Sequence, residues 1–196
     1  MNKILTTSEY LPFPKVLTYI DIRSYVFTVV FVLLAVFTPW VFHQFHLAGP
    51  TFLPMHIFVL AAGLLFGWRA GLVVGLFTPL ASYAISGMPV LAILPQIVVE
   101  LSVYGLVTGI LRERFNLRVI WSLIGAVIAG RLALLLVVSI IYLGREVYSP
   151  LGVGANPLAV LWSVIKLGWP GIVIQLVSIP LIMKLLERLA LKNRRG

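Results

Sequence analysis

The sequence predicts an all-α integral membrane protein of six transmembrane helices with both termini cytoplasmic. Three observations carry that prediction. Of 196 residues, 61% are hydrophobic and 11% are charged, against about 25% charged in a soluble domain. So much apolar surface could not be hidden behind a polar exterior by a chain of this size. The apolar residues also gather into six runs, and the basic residues gather between alternate runs.

A span needs roughly 20 apolar residues at 1.5 Å of rise each. The first is Val26–Phe42 with its flanks. Phe52–Phe66 and Ala70–Ile85 form a short pair, broken only by Gly67-Trp68-Arg69. Leu91–Leu111 is the fourth and Val119–Leu143 the fifth. The sixth, Leu158–Met183, carries Pro170 and Pro180. Residues 1–196 form a single membrane domain, with 1–24 a cytoplasmic N-terminal segment and 184–196 a basic cytoplasmic tail. Lys3, Glu9, Lys15, Asp21 and Arg23 exclude a cleavable signal peptide from the N-terminal segment.

With the N-terminus inside, the inner segments hold 12 basic residues, among them Arg69, Arg112, Arg114, Arg118 and Lys184, and the outer loops hold Arg145 alone. Cytoplasmic loops collect Lys and Arg in this way. The net charge of +9 is therefore a topology signal, with no nucleic-acid partner implied. Gly144–Pro157 is the longest outer loop, and Ser86-Gly87-Met88-Pro89 is a tight outer turn.

The chemistry of common enzymes is missing. No Gly-Lys pair exists to end a phosphate-binding P-loop, and there is no His-Glu-x-x-His or Gly-x-Ser-x-Gly. Cysteine is absent, which removes disulfides and thiolate-held metals. His43, His46 and His56 sit near the outer face with no carboxylate beside them in sequence. They are read as interfacial or loop residues, so no metal or cofactor is expected.

What stands out is charge where charge is expensive. Glu100, Arg131 and Lys166 lie within spans, at roughly 2.5–3.5 kcal/mol each for a mid-bilayer position. Glu100 is about nine residues, or roughly 13 Å, below the outer end of its helix. With His56 these charges occupy the outer half or the midplane. Gln96, Glu100, Tyr104 and Thr108 recur every four residues, a polar stripe that cannot face lipid. Thr78, Ser82 and Ser86 repeat the idea on the third span, with Tyr83 nearby. Trp162, Lys166 and Trp169 share a face of the sixth. Read structurally, Glu100 and Arg131 are a buried pair that fixes register. Lys166 then snorkels to the interface, and the tryptophans join the aromatic belt. Read functionally, the shared depth marks a site for a small polar ligand entering from outside. His56, Tyr83, Gln96, Glu100, Arg131, Trp162 and Lys166 would line it, under the first and fifth loops. Two cations against one carboxylate favour a ligand with an acidic group.

Small residues four apart, Gly63/Gly67, Gly71/Gly75, Gly105/Gly109 and Ala126/Gly130, let helix backbones approach closely in lipid. They serve either packing inside the bundle or a partner membrane protein.

Specific strings add a resemblance. Leu53-Pro54-Met55-His56-Ile57-Phe58-Val59-Leu60-Ala61-Ala62-Gly63 is followed by Phe66-Gly67-Trp68-Arg69-Ala70-Gly71 and Val74-Gly75-Leu76. Then come Pro79-Leu80-Ala81-Ser82, Gly87-Met88-Pro89, Glu100-Leu101 and Tyr104-Gly105-Leu106-Val107-Thr108-Gly109. Over Leu53–Leu111 the chain resembles the substrate-binding S components of energy-coupling factor (ECF) vitamin transporters, a type of ABC transporter. The resemblance implies a six-helix, non-enzymatic subunit of the prokaryotic plasma membrane. It would bind a vitamin or precursor near the extracellular face, for example pantothenate or a folate, with pyridoxine, riboflavin and thiamine precursors also open. It would work with a membrane coupling subunit and two cytoplasmic ATPases. The family's first span often carries Ala-x-x-x-Ala for that subunit. Here Ala35 has only Phe31 and Thr38 nearby, so Ala35, Gly71 and Gly75 are the candidate docking residues. The alternative is a membrane scaffold similar to rod-shape-determining proteins, which would need no outward-opening polar stripe.

Overall fold

The computed structural model describes residues 22–44, 49–143 and 156–193, and side chains within 25–41, 51–143 and 156–185. The helices are α1 (Ile22–Gln44), α2 (Gly49–Phe52), α3 (Pro54–Phe66), α4 (Trp68–Ser86), α5 (Leu94–Glu113), α6 (Val119–Leu143) and α7 (Pro157–Asn193). No strand occurs among the described residues. α4, α5, α6 and α7 are long and apolar enough to cross a membrane, while Tyr25–Val41 of α1 and all of α3 are shorter apolar helices. The outward faces are apolar, with Leu33, Phe37, Leu136, Ile140, Val177 and Leu181 all exposed. This is an all-helical integral membrane protein. Residues 1–21, 45–48, 144–155 and 194–196 lie outside the described residues.

Local chemistry sets the boundaries. Pro54 opens α3, and its ring disfavours a right-handed helical conformation in the residue before it. Leu53 leaves the right-handed region and stands at φ 50°, which cuts Phe52 away from the predicted second span and leaves α2 as a single turn. Gly67, at φ 86°, is the whole break between α3 and α4. The Trp68 amide, an orphan donor at the start of α4, donates to Glu113 Oε2 at 3.4 Å. Pro95 sets the start of α5 at Leu94, three residues later than predicted. α7 runs unbroken through Pro170 and Pro180, and on past Met183.

α5 is the axis of the bundle, packed against α3, α4 and α6. The packing is backbone to backbone. A Cβ on Gly63 would stand 2.7 Å from the Gly105 carbonyl oxygen, and one on Gly71 would strike Gly105 directly. A Cβ on Gly75 would strike the Leu101 backbone, and one on Gly109 the backbone of Trp68. Gly71 and Gly75 thus face α5, and Ala35 is fully buried. The small faces expected to receive a partner are filled from within the bundle, because in lipid close approach to one's own helix has the same requirement as docking.

Candidate functional site

The close α3–α4–α5 seam turns the polar stripe inward. Gln96, Glu100, Tyr104 and Thr108 are each at most 4% exposed. Thr108 satisfies itself by donating to the Tyr104 carbonyl at 2.6 Å. The Tyr104 ring lies where Gly130 has no side chain, so that a Cβ there would be 2.5 Å from the ring. His56 packs edge-on against the same ring at 5.0 Å.

Arg131 reaches across from α6, and its Nη1 donates to Glu100 Oε1 at 2.8 Å. Both side chains are less than one-tenth exposed. The pair therefore exists as a salt bridge between α5 and α6, as the register reading proposed. It leaves much unsatisfied. Arg131 Nε and Nη2, both polar atoms of Gln96 and both ring nitrogens of His56 are buried without a hydrogen-bond partner in the protein. Buried polar groups are nearly always paired, and an orphan costs about 1–3 kcal/mol. Three such side chains, grouped with Glu100, call for a reason beyond folding.

All four line one cavity of about 570 Å³, within the range of small-molecule sites. Its other walls are largely apolar: Trp40 of α1, Met55 of α3, Met88 and Pro89 of the α4–α5 turn, Leu134 of α6 and Leu167 of α7. Each of these belongs to the same end of the bundle, where α1, α4 and α6 finish and α3, α5 and α7 begin. Arg69, Arg112, Arg114, Arg118 and Lys184 stand at the opposite end.

The remaining candidates are placed elsewhere. Lys166 is exposed on the outward side of α7, 5.9 Å from the Trp162 ring centroid, and Trp162 and Trp169 are exposed beside it. None of the three lines the cavity, and neither does half-buried Tyr83. α7 instead turns Gly168, Gly171 and Gln175 inward. This correction has a plain cause, since a flexible stem on the outer side of α7 can carry the ammonium along the helix to the polar interface. It also removes one of the two cations on which an acidic ligand was expected. The side chains of His43 and His46, and the loops expected to cover the site, fall outside the described residues. Among those described, no group of three potential metal ligands gathers.

Sequence reasoning missed the support that α7 gives to the cavity wall at Leu53. A Cβ on Gly171 would be 2.7 Å from the Phe52 carbonyl, and Gln175 Nε2 donates to the Leu53 carbonyl at 3.3 Å. Together they seat the left-handed elbow at Leu53, which brings Leu53, Pro54, Met55 and His56 to the cavity. The signal was the run Gly168…Gly171…Gln175 on one helix face.

Comparison with known proteins agrees with this architecture. No curated protein and no solved structure matches the chain. A family model described as "ECF transporter, substrate-specific component" matches residues 9–183, nearly the whole length. A helical membrane bundle with an end-on cavity walled by orphaned polar groups thus has its sequence counterpart, and the chain belongs to the family of ECF transporter substrate-specific components.

Proposed function

We propose that this subunit captures a small water-soluble vitamin or vitamin precursor in the 570 Å³ cavity from outside a prokaryotic plasma membrane. Import would then be completed with a membrane coupling subunit and two cytoplasmic ATPases. The observation that carries the reading is the grouping of His56, Gln96, Glu100 and Arg131 around one cavity, three of them with orphaned atoms. The cavity's end of the bundle is opposite the end rich in Arg and Lys. The positive-inside rule then puts both termini in the cytoplasm and opens the cavity outward. Residues 1–196 act as one membrane domain in this reading and carry no phosphate-binding loop, and ATP hydrolysis is assigned to the partners.

The acidic-ligand preference keeps only Arg131 in its support, because Lys166 points away. Docking through Ala35, Gly71 and Gly75 is not carried forward, because those positions are consumed by internal packing. A pure scaffold would have no use for orphaned donors around a cavity. The test is calorimetric titration of the purified chain in lipid nanodiscs with a vitamin panel. Saturable binding that is lost in Gln96→Leu, with unfolding unchanged, supports the reading. A fully inert panel refutes it.

A further inference from the structure

We propose that the cavity selects molecules of zero net charge that present two adjacent hydrogen-bond acceptors to Arg131. Such an edge occurs on a nitrogen heterocycle in which a carbonyl oxygen stands beside a ring nitrogen that carries no hydrogen. The inference rests on the capture reading above and narrows its ligand.

The guanidinium of Arg131 is only half used. Nη1 bonds Glu100 Oε1 at 2.8 Å, while Nε and Nη2 have no partner in the protein. Those two nitrogens lie on one edge of the planar group, the fork that meets two acceptors side by side. An unpaired arginine at this depth would call for an anion. Here Glu100 already balances it, and Lys166 is turned outward. A carboxylate seated on the fork would therefore leave one uncompensated negative charge in a buried, apolar-walled space, which is costly. A neutral edge engages the same fork without that cost.

The neighbours point the same way. Gln96 offers an unpartnered donor and an unpartnered acceptor. A neutral His56 imidazole offers one of each as well. Such mixed pairs match a perimeter on which carbonyls and N–H groups alternate, as in the side-chain readout of base edges. An anion offers acceptors only. The largely apolar walls then suit a flat or aliphatic body.

The test uses the full chain in nanodiscs, with ligands matched except for charge. Nicotinate is compared with nicotinamide, and pantothenate with pantothenyl alcohol, with riboflavin and pyridoxine as net-neutral heterocycles. The expected result is binding of a neutral member at least tenfold tighter than any anion. Arg131→Lys keeps the charge and its pairing with Glu100 but loses the fork, so it should weaken that ligand tenfold or more. Glu100→Gln leaves Arg131 uncompensated and should move the neutral-to-anion preference at least tenfold toward the anion. A structural role alone would not reverse selectivity. Tighter binding of an anion by the unaltered protein overturns this inference and leaves the capture reading standing. So does an unchanged preference in Glu100→Gln. No binding by any member at millimolar concentration overturns both.

Discussion

Gly105→Ala adds one methyl group where α5 crosses α4. That methyl would stand 2.9 Å from the Gly71 Cα and closer still to its carbonyl. No flexible side chain is present to give way, so the helices must separate. Overpacking of this kind costs about 1–3 kcal/mol. Alanine also gains about 1 kcal/mol over glycine in helix propensity, which obscures the cost in a single measurement. Gly125→Ala supplies the control, because its methyl meets only the tip of Leu111, at 2.5 Å. Both variants gain the same propensity, so their difference isolates the packing. Gly105→Ala should unfold about 1–3 kcal/mol more easily than Gly125→Ala. Reversible SDS titration in mixed micelles, read by tryptophan fluorescence, measures it. If the two variants unfold within about 0.5 kcal/mol of each other, the α4–α5 seam does not depend on backbone contact.

Four further outcomes are expected. Glu100→Ala and Arg131→Ala should each destabilise by about 3–5 kcal/mol through the charge left behind, and the double variant should cost far less than the sum; additivity in the same titration would show that the pair is not coupled. Lys166→Ala should leave ligand affinity within about twofold in nanodisc calorimetry, since the side chain lies outside the cavity; a tenfold loss would return it to the site. Gly171→Leu should displace the Leu53 elbow and weaken binding at least tenfold with α-helical circular dichroism retained, and unchanged affinity would show that the elbow does not shape the site. A cysteine at Asn193→Cys should resist impermeant reagents in intact cells and react after permeabilisation; labelling from outside would reverse the orientation and close the cavity to extracellular ligand.

Much of the fold was legible because hydropathy counts what a bilayer requires. The fifth span was read at Val119–Leu143, and α6 occupies the same residues. Where the reading slipped, local backbone chemistry was the reason. Phe52 is as apolar as any span residue, but Pro54 turns Leu53 out of the helical region, and the span starts later. α7 continues beyond Lys184, whereas an apolar window stops where charges cluster, at Lys184, Glu187 and Arg188. The stripe from Gln96 to Thr108 was visible because four polar groups on one face of a membrane helix have one place to go. The inward face of α7 was not. That helix is apolar around most of its circumference, so its sequence did not say whether Lys166 or Gln175 turned toward the bundle.

The glycine seam and the polar floor are one construction. Gln96 and Glu100 stand on the helix whose backbone touches α3 and α4 through Gly63, Gly71 and Gly75. Larger residues there would hold α5 outward and expose its stripe to lipid, at the cost of burying polar groups in hydrocarbon. Close packing thus puts the polar groups inside. It does not satisfy them all, since Gln96, His56, and Nε and Nη2 of Arg131 are left without protein partners. The missing bonds are a standing cost of the folded state, and a ligand that supplies them lowers the energy of that state alone. Binding and stability are then linked: a ligand at 100 times its Kd should raise unfolding stability by about 2.7 kcal/mol. Replacing the orphaned amide in Gln96→Leu removes both the cost and the contact, so the unliganded protein should hold or gain stability while the ligand's increment shrinks. A loss of stability in the unliganded variant, with the increment intact, would mean that Gln96 serves the fold and not the ligand.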